Sequence, residues 1–170
     1  GDFGSKKYAA DIFKFVKSNK NSTLGESALF EAFSALKGQN DEKAFEVGED
    51  YLASFPKSNK AKEILLTMTQ MALISVDMRR AQRYLTAFAQ KFPDDGQSSG
   101  YLQQAAQIAE QSGDLPEAAR LYRAIGNIDK QVKVLFLDSN WQELQNVASR
   151  ISGAKGIYFS GLAMYRMGKK

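Results

Sequence analysis

Apolar side chains recur at helical spacing along this chain. In residues 5–17 they occupy positions 8, 12, 15 and 16, which is the i, i+4, i+7, i+8 spacing of an amphipathic helix. Most aromatic side chains elsewhere also fall at helical spacing, which favours core packing for Tyr51, Phe55, Tyr84, Phe88, Tyr122 and Trp141. The pattern predicts an all-α protein.

Capping residues, glycines and prolines mark the expected helix ends. Proline after a helix stops it, because it offers no backbone donor and disfavours a helical residue before it. The residues expected at helix N-termini are Thr23 (in a capping box with Glu26), Asn40, Asn59, Asp77, Ser98 or Ser99, and Asp114. The predicted helices are 5–17, 23–37, 41–54, 61–75, 78–91, 98–111, 115–125, 127–137, 141–151 and 156–168.

The helices repeat as pairs. Ala44, Ala81 and Ala118 are 37 residues apart, and Pro56 and Pro93 keep the same interval. A fixed period of this size indicates a repeat architecture. The segment 15–20 is nearly duplicated at 55–60. We therefore expect the chain to begin in the middle of a repeat. We expect it to end in the middle of one too, because the helix 156–168 has no second helix after it.

These repeats resemble the tetratricopeptide repeat (TPR), a two-helix unit of ~34 residues. The resemblance is clearest in 113–122 (Gly-Asp-Leu-Pro-Glu-Ala-Ala-Arg-Leu-Tyr) and in 158–168. Helices packed ~8–10 Å apart need small residues where they cross. The positions that match this requirement are Ala44, Ala81 and Ala118 in second helices, and Ala32, Thr69, Ala106 and Gly161 in first helices.

The resemblance implies a right-handed α-solenoid in one domain, 1–170. Its units are 1–20 (the second helix of a preceding repeat), 23–57, 59–94, 98–126, 127–152 and 154–170 (the first helix of a further repeat). The unit 127–152 is degenerate, because it lacks both the terminal proline and the alanine at their expected places.

Composition argues against catalysis. The chain has no histidine and no cysteine, so the commonest general base, metal ligand and strong nucleophile are missing. No glycine-rich phosphate loop is present, since 153–156 lacks the required spacing. We expect no enzyme activity, no cofactor, no metal and no small-molecule substrate. The chain contains no run of ~18 apolar residues, so the sequence predicts no membrane span.

A protein or peptide partner is the expected ligand. In the resembled family, first helices line a concave groove. The residues that fall there are Glu26, Phe33, Lys37, Glu63, Gln70, Ile74, Gln103, Gln107, Gln111 and Lys133. Gln103, Gln107 and Gln111 recur every four residues and form a stripe of amides that can donate and accept hydrogen bonds. An equally good reading of this stripe is a solvated face. Exposure of Phe33 and Ile74 would mark partner contacts.

Two other functions stay open. The chain could be a structural module that docks neighbouring subunits through its ends or convex face, and the apolar helix 156–168 could pair with a second copy. Nucleic-acid binding is less favoured, because the net charge is only +4 and no concentrated basic face is evident. The Phe-Pro endings at 55–56 and 92–93 are similar to repeats of bacterial cell-envelope proteins. That similarity implies envelope assembly or motility machinery and a periplasmic or outer-membrane-associated setting, with the cytoplasm as the alternative.

Overall fold

The structure is a computed structural model that describes Asp11 and residues 23–168. Residues 23–168 contain nine α-helices and no β-strand, which confirms the all-α prediction. The helix predicted at 5–17 lies outside the described residues, apart from the helical Asp11. The helices are α1 (Thr23–Leu36), α2 (Asp41–Ser54), α3 (Ala61–Ile74), α4 (Met78–Lys91), α5 (Ser98–Ser112), α6 (Leu115–Ala124), α7 (Ile128–Leu137), α8 (Trp141–Ala148) and α9 (Ala154–Arg166).

Short polar side chains start several of these helices as expected. Asn40 and Asp114 each accept a hydrogen bond from the backbone N–H three residues later, at 3.1 and 3.3 Å. Asn127 and Asn140, which were not among the expected caps, do the same at 3.1 and 3.2 Å. Such bonds satisfy backbone donors that the first helical turn leaves unpaired. They explain why the starts of α2, α6, α7 and α8 could be predicted closely.

Several local predictions were wrong. Neither Ser98 nor Ser99 caps α5: the N-cap is Gln97, and the helix begins at Ser98. Asn59 does not cap α3: the N-cap is Lys60, and the Ser58 hydroxyl accepts the Lys60 N–H at 3.1 Å. Helix α8 ends at Ala148 rather than at residue 151. Helix α9 begins at Ala154, so Gly156 lies inside its first turn. The end of α8 and the start of α9 lie where these two helices pack against each other, a contact that local sequence does not show.

A residue with a positive φ angle lies one or two positions after each of α1, α3, α5, α7 and α9, the helices that come first in the predicted repeats. The φ angle is +78° at Gly38, +82° at Gly113 and +69° at Gly168. Glycine adopts this conformation without steric cost, and it ends a helix by pairing the last carbonyl groups. Val76 and Ser139 take the same place with φ of +58° and +57°. For a β-branched residue such as Val76 this backbone conformation is strained.

The chain divides into two compact units, Gly1–Asp77 and Met78–Lys170. The boundary falls at the turn between α3 and α4, inside the predicted repeat 59–94. In the first unit, α1 packs against α2 and α2 packs against α3. Gly48 of α2 makes this possible, because a Cβ there would lie 2.5 Å from Met68 Sδ and 3.0 Å from the Phe33 ring. The missing side chain leaves room for residues of both neighbouring helices.

In the second unit, each helix from α4 to α9 packs against the next one along the chain. This sequential packing is typical of a helical repeat. Ala81, Ala106 and Ala118 are buried as their place at helix crossings predicts, and so are Tyr84 and Phe88.

Gly161 is not buried at a helix crossing as these alanines are. It was expected at a crossing, yet it is exposed, and a Cβ built on it would have no described atom within 4 Å. The close approach in α9 occurs at Gly156 instead, where a Cβ would meet the carbonyl oxygens of Ile151 and Ala148.

Candidate partner-binding surface

Three glutamines form an exposed row on α5, which we call the amide row: Gln103, Gln107 and Gln111. The opposite side of α5 is buried through Ala105, Ala106, Ile108 and Ala109. Four residues advance an α-helix by ~6 Å and rotate it by ~40° beyond one full turn, so the three amides lie on one side of the helix. No hydrogen bond to another described residue occupies their side chains. The row can therefore pair with groups outside the protein.

The Glu110 carboxylate joins three helices beside the amide row. It accepts hydrogen bonds from Lys133 Nζ of α7 at 2.6 Å and from the Tyr122 hydroxyl of α6 at 2.7 Å. Lys130 Nζ lies 3.7 Å from the same carboxylate. Lys133, which the sequence placed in the groove, is thus an exposed residue whose charge is already paired. It contributes little free positive charge to this surface.

These contacts shift two pKa values. The hydrogen bond from Lys133, and after it the one from Tyr122, lowers the pKa of Glu110. Burial, followed by the hydrogen bond to Glu110, raises the pKa of Tyr122 to about 12. Both shifts favour the charge states present at neutral pH, namely an ionised carboxylate and a neutral phenol. The cluster is therefore built to hold α5, α6 and α7 together rather than to transfer protons.

Lowering the pH should decrease the free energy of unfolding, because it protonates Glu110. Because the folded-state pKa is lowered, the stabilisation is present at neutral pH and is lost as the pH falls from the ordinary carboxylate range through the folded-state value. We expect Glu110→Gln to lower the free energy of unfolding by about 1 kcal/mol at pH 7 and to flatten its decline between about pH 5 and pH 3. Urea unfolding across this range measures both effects. Glu31→Gln, at an exposed position on α1, is the control and should keep the wild-type slope. A Glu110→Gln slope equal to that of the wild type would contradict the assignment.

Glu26 has a comparable structural role in the first unit. Its Oε1 accepts hydrogen bonds from the Tyr51 hydroxyl at 2.7 Å and the Ser58 hydroxyl at 2.5 Å. The bond from Ser58, and after it the one from Tyr51, lowers the pKa of Glu26. The carboxylate thus ties α1 to α2 and to the turn before α3. Its oxygen is committed inside the protein, which the sequence position alone did not reveal.

Phe33 is not on an exposed surface, so the expectation that it marks a partner contact is wrong. Only 3 % of its surface is accessible, and its ring fills the space beside Gly48. Ile74, at the end of α3, is 83 % exposed as that expectation required. The remaining groove candidates of the first unit, Lys37, Glu63 and Gln70, are exposed as well.

A cleft that the sequence analysis missed runs between α4 and α6, with a volume of about 830 Å³. Its lining includes Arg79, Gln82, Arg83, Thr86, Gln90, Asp114, Glu117 and Arg120. Arg120 donates two hydrogen bonds of 2.6 Å to Glu117, so its charge is neutralised within the cleft. The stripe of Arg79, Gln82 and Arg83 at helical spacing was the available signal. Its mixed charge does not favour a polyanion.

Other kinds of site find little support in residues 23–168. Over this range no helix has the length and apolar character needed to cross a membrane. The same residues include no cluster of three or more carboxylates suited to hold a metal ion.

Comparison of the chain with protein-family models, with curated proteins and with solved structures finds no significant match. The likeness to TPR units therefore rests on the residues of this chain alone.

Proposed function

We propose that this protein is a protein-binding scaffold and that the amide row of α5 holds an extended peptide segment of its partner. The observation that supports this is the row itself: three exposed side-chain amides lie on one side of α5, and the opposite side of the helix is buried and apolar. The TPR likeness adds that first helices, of which α5 is one, line the groove of the array.

The spacing of the row suits an extended backbone. Amides four residues apart on a helix are separated by ~6 Å. An extended chain repeats every two residues, or ~6.6–6.8 Å, so its N–H and C=O groups on one side recur at nearly the same interval. A glutamine amide can both donate and accept, and can therefore pair with either backbone group. Such contacts give affinity without requiring a particular partner sequence.

Neighbouring side chains would supply the selectivity. Glu110 neutralises Lys133 next to the row, so the surface carries no strong free charge there. A partner segment with small or polar side chains on the side facing α5 would meet no unpaired charge and no steric block. Binding of this kind should depend only weakly on salt, in contrast to the steep salt dependence of nucleic-acid binding.

Binding to an array of unrelated eight-residue peptides tests the proposal. We expect a subset of peptides to bind the wild type, and the triple variant Gln103→Ala, Gln107→Ala, Gln111→Ala to bind them at least about tenfold more weakly, because up to three hydrogen bonds are lost. The matched control is Gln90→Ala with Gln142→Ala, which removes exposed glutamines from α4 and α8. Peptide binding that survives the triple substitution, or an array to which the wild type does not bind, would show the proposal to be wrong. Phe33 is left unchanged, because its truncation would open a cavity in the core.

The cellular setting and the finer architecture belong to the same proposal. The likeness of the Phe-Pro endings to bacterial envelope repeats supports a scaffold in envelope assembly or motility machinery, in the periplasm or at the outer membrane. The TPR likeness supports a right-handed superhelical course of the helix pairs. Cell fractionation tests the compartment directly.

A further inference from the structure

Helix α9 carries a largely exposed stripe that has no charged side chain at neutral pH. The stripe contains Ala154, Ile157, Tyr158, Gly161, Met164 and Tyr165, and Gly168 extends it just beyond the helix. At ~100° per residue these positions lie within ~60° of the direction of Gly161. Ile157, Tyr158 and Tyr165 are 76 %, 63 % and 78 % exposed. Soluble surfaces rarely leave such a contiguous apolar patch without a use.

The charges of α9 lie outside this stripe and are engaged within the protomer. Lys155 pairs with Asp129 of α7 at 2.5 Å. The Arg166 guanidinium lies 5.5 Å from the centre of the Trp141 ring of α8. Neither cation needs to be desolvated or moved if the stripe is covered.

The stripe is symmetric about Gly161 in the size of its side chains. Large side chains stand three and four residues to either side, namely Ile157 and Tyr158 before it and Met164 and Tyr165 after it. Small residues follow at seven positions on each side, Ala154 and Gly168. An antiparallel copy of the same helix, centred on Gly161, would place each large side chain opposite another large one. Gly161 would then meet Gly161, which permits a close approach of the two helix axes because no Cβ intervenes.

The geometry points to a symmetric dimer in which α9 of one protomer packs antiparallel on α9 of a second copy, with the two-fold axis at Gly161. An isologous interface requires that the residue pair i–j also occurs as j–i. Ile157 against Tyr165 of the partner subunit meets this requirement on both sides of the axis. This assignment is independent of the proposed peptide site, since α5 and α9 contribute different surfaces.

The available area fits a weak dimer. Aromatic residues carry roughly 150–250 Å² each, so at the observed exposure the three largest side chains offer roughly 400 Å² per protomer. With the smaller residues of the stripe, two protomers bury about 1,000 Å² in total, which is the lower end for a specific interface. We therefore expect a reversible dimer with a dissociation constant in the micromolar range.

A charge-exchange experiment tests both the dimer and its direction. Ile157→Glu and Tyr165→Lys should each abolish dimerisation, because each buries two unpaired charges against apolar side chains. Mixed together they should form a heterodimer, in which one contact becomes a Glu–Lys pair and the other stays as in the wild type. Both positions are exposed in the protomer, so folding should be unaffected. Sedimentation velocity from about 1 to about 200 µM covers the expected range.

The control is Ile74→Glu, which alters an isoleucine of similar exposure on α3 and should leave dimerisation unchanged. A wild type that stays monomeric at every concentration would overturn the inference. So would a dimer that tolerates both α9 substitutions, since it would use another surface. If the mixture of the two variants remains monomeric, antiparallel pairing at Gly161 is wrong. The Gln103, Gln107, Gln111 triple variant should dimerise as the wild type does, which separates this result from the peptide-binding test.

Discussion

Replacing Phe88 by alanine is expected to lower the free energy of unfolding by about 3–5 kcal/mol. The ring is fully buried on α4. Its centre lies 5.1 Å from that of Phe92 and 4.9 Å from that of Tyr101 on α5, the latter in a perpendicular arrangement. Truncation removes the buried area, the two ring contacts and the filling of the space between α4 and α5. Chemical denaturation followed by circular dichroism measures the loss.

Phe92→Ala is the matched comparison, since Phe92 belongs to the same cluster but is only half-buried. It should cost clearly less, because less apolar surface returns to water and the surroundings can relax into solvent. Equal costs for Phe88→Ala and Phe92→Ala would contradict the central place of Phe88. A small cost for both would mean that the aromatic residues before Pro93 do not form a core.

Gly156→Ala is expected to destabilise the protein by about 1–3 kcal/mol, although alanine is the better helix former. A Cβ at this position would collide with the carbonyl oxygens of Ile151 and Ala148. Backbone atoms cannot rotate away as a flexible side chain can, so α9 would have to shift away from the end of α8. Thermal or chemical unfolding measures the change.

Gly161→Ala, in the same helix, should have the opposite sign. A Cβ there meets no described atom within 4 Å, so the gain in helix propensity should stabilise the protomer by about 0.5–1 kcal/mol. The measurement belongs at a concentration low enough to keep the chain monomeric, because the same methyl group would hinder the proposed pairing of two α9 helices. If both substitutions change stability in the same direction, the position of α9 against α8 is wrong.

Much of the helix layout could be predicted because helix ends depend on local chemistry. Asn40 and Asp114 bond to backbone groups three residues away, and Gly113 adopts the left-handed conformation that ends α5. These interactions are complete within a few residues. The prediction failed at Gly156 and at the end of α8, where the backbone of one helix packs against the next. Such contacts have no local signature.

The candidate surface, too, could be predicted where local pattern decides and not where contacts between helices decide. Helical period alone could place Gln103, Gln107 and Gln111 on one exposed side of α5, because the alanines between them needed burial. It could not show that Phe33 is buried, since this depends on the space that Gly48 leaves on another helix. Nor could it show that Lys133 is paired, because Glu110 is 23 positions away in sequence.

Sequence pattern alone could predict that this protein is all-α, where most of its helices begin, and that Tyr51, Tyr84, Phe88 and Tyr122 belong to the core. These properties follow from backbone hydrogen bonding and from the period of apolar residues along one helix. Only the tertiary structure decided which exposed groups are free. It assigned Glu26 and Glu110 to internal contacts, buried Phe33, and left the stripe around Gly161 uncovered. Whether a side chain is available to a partner depends on what other helices place beside it, and a linear pattern does not contain that information.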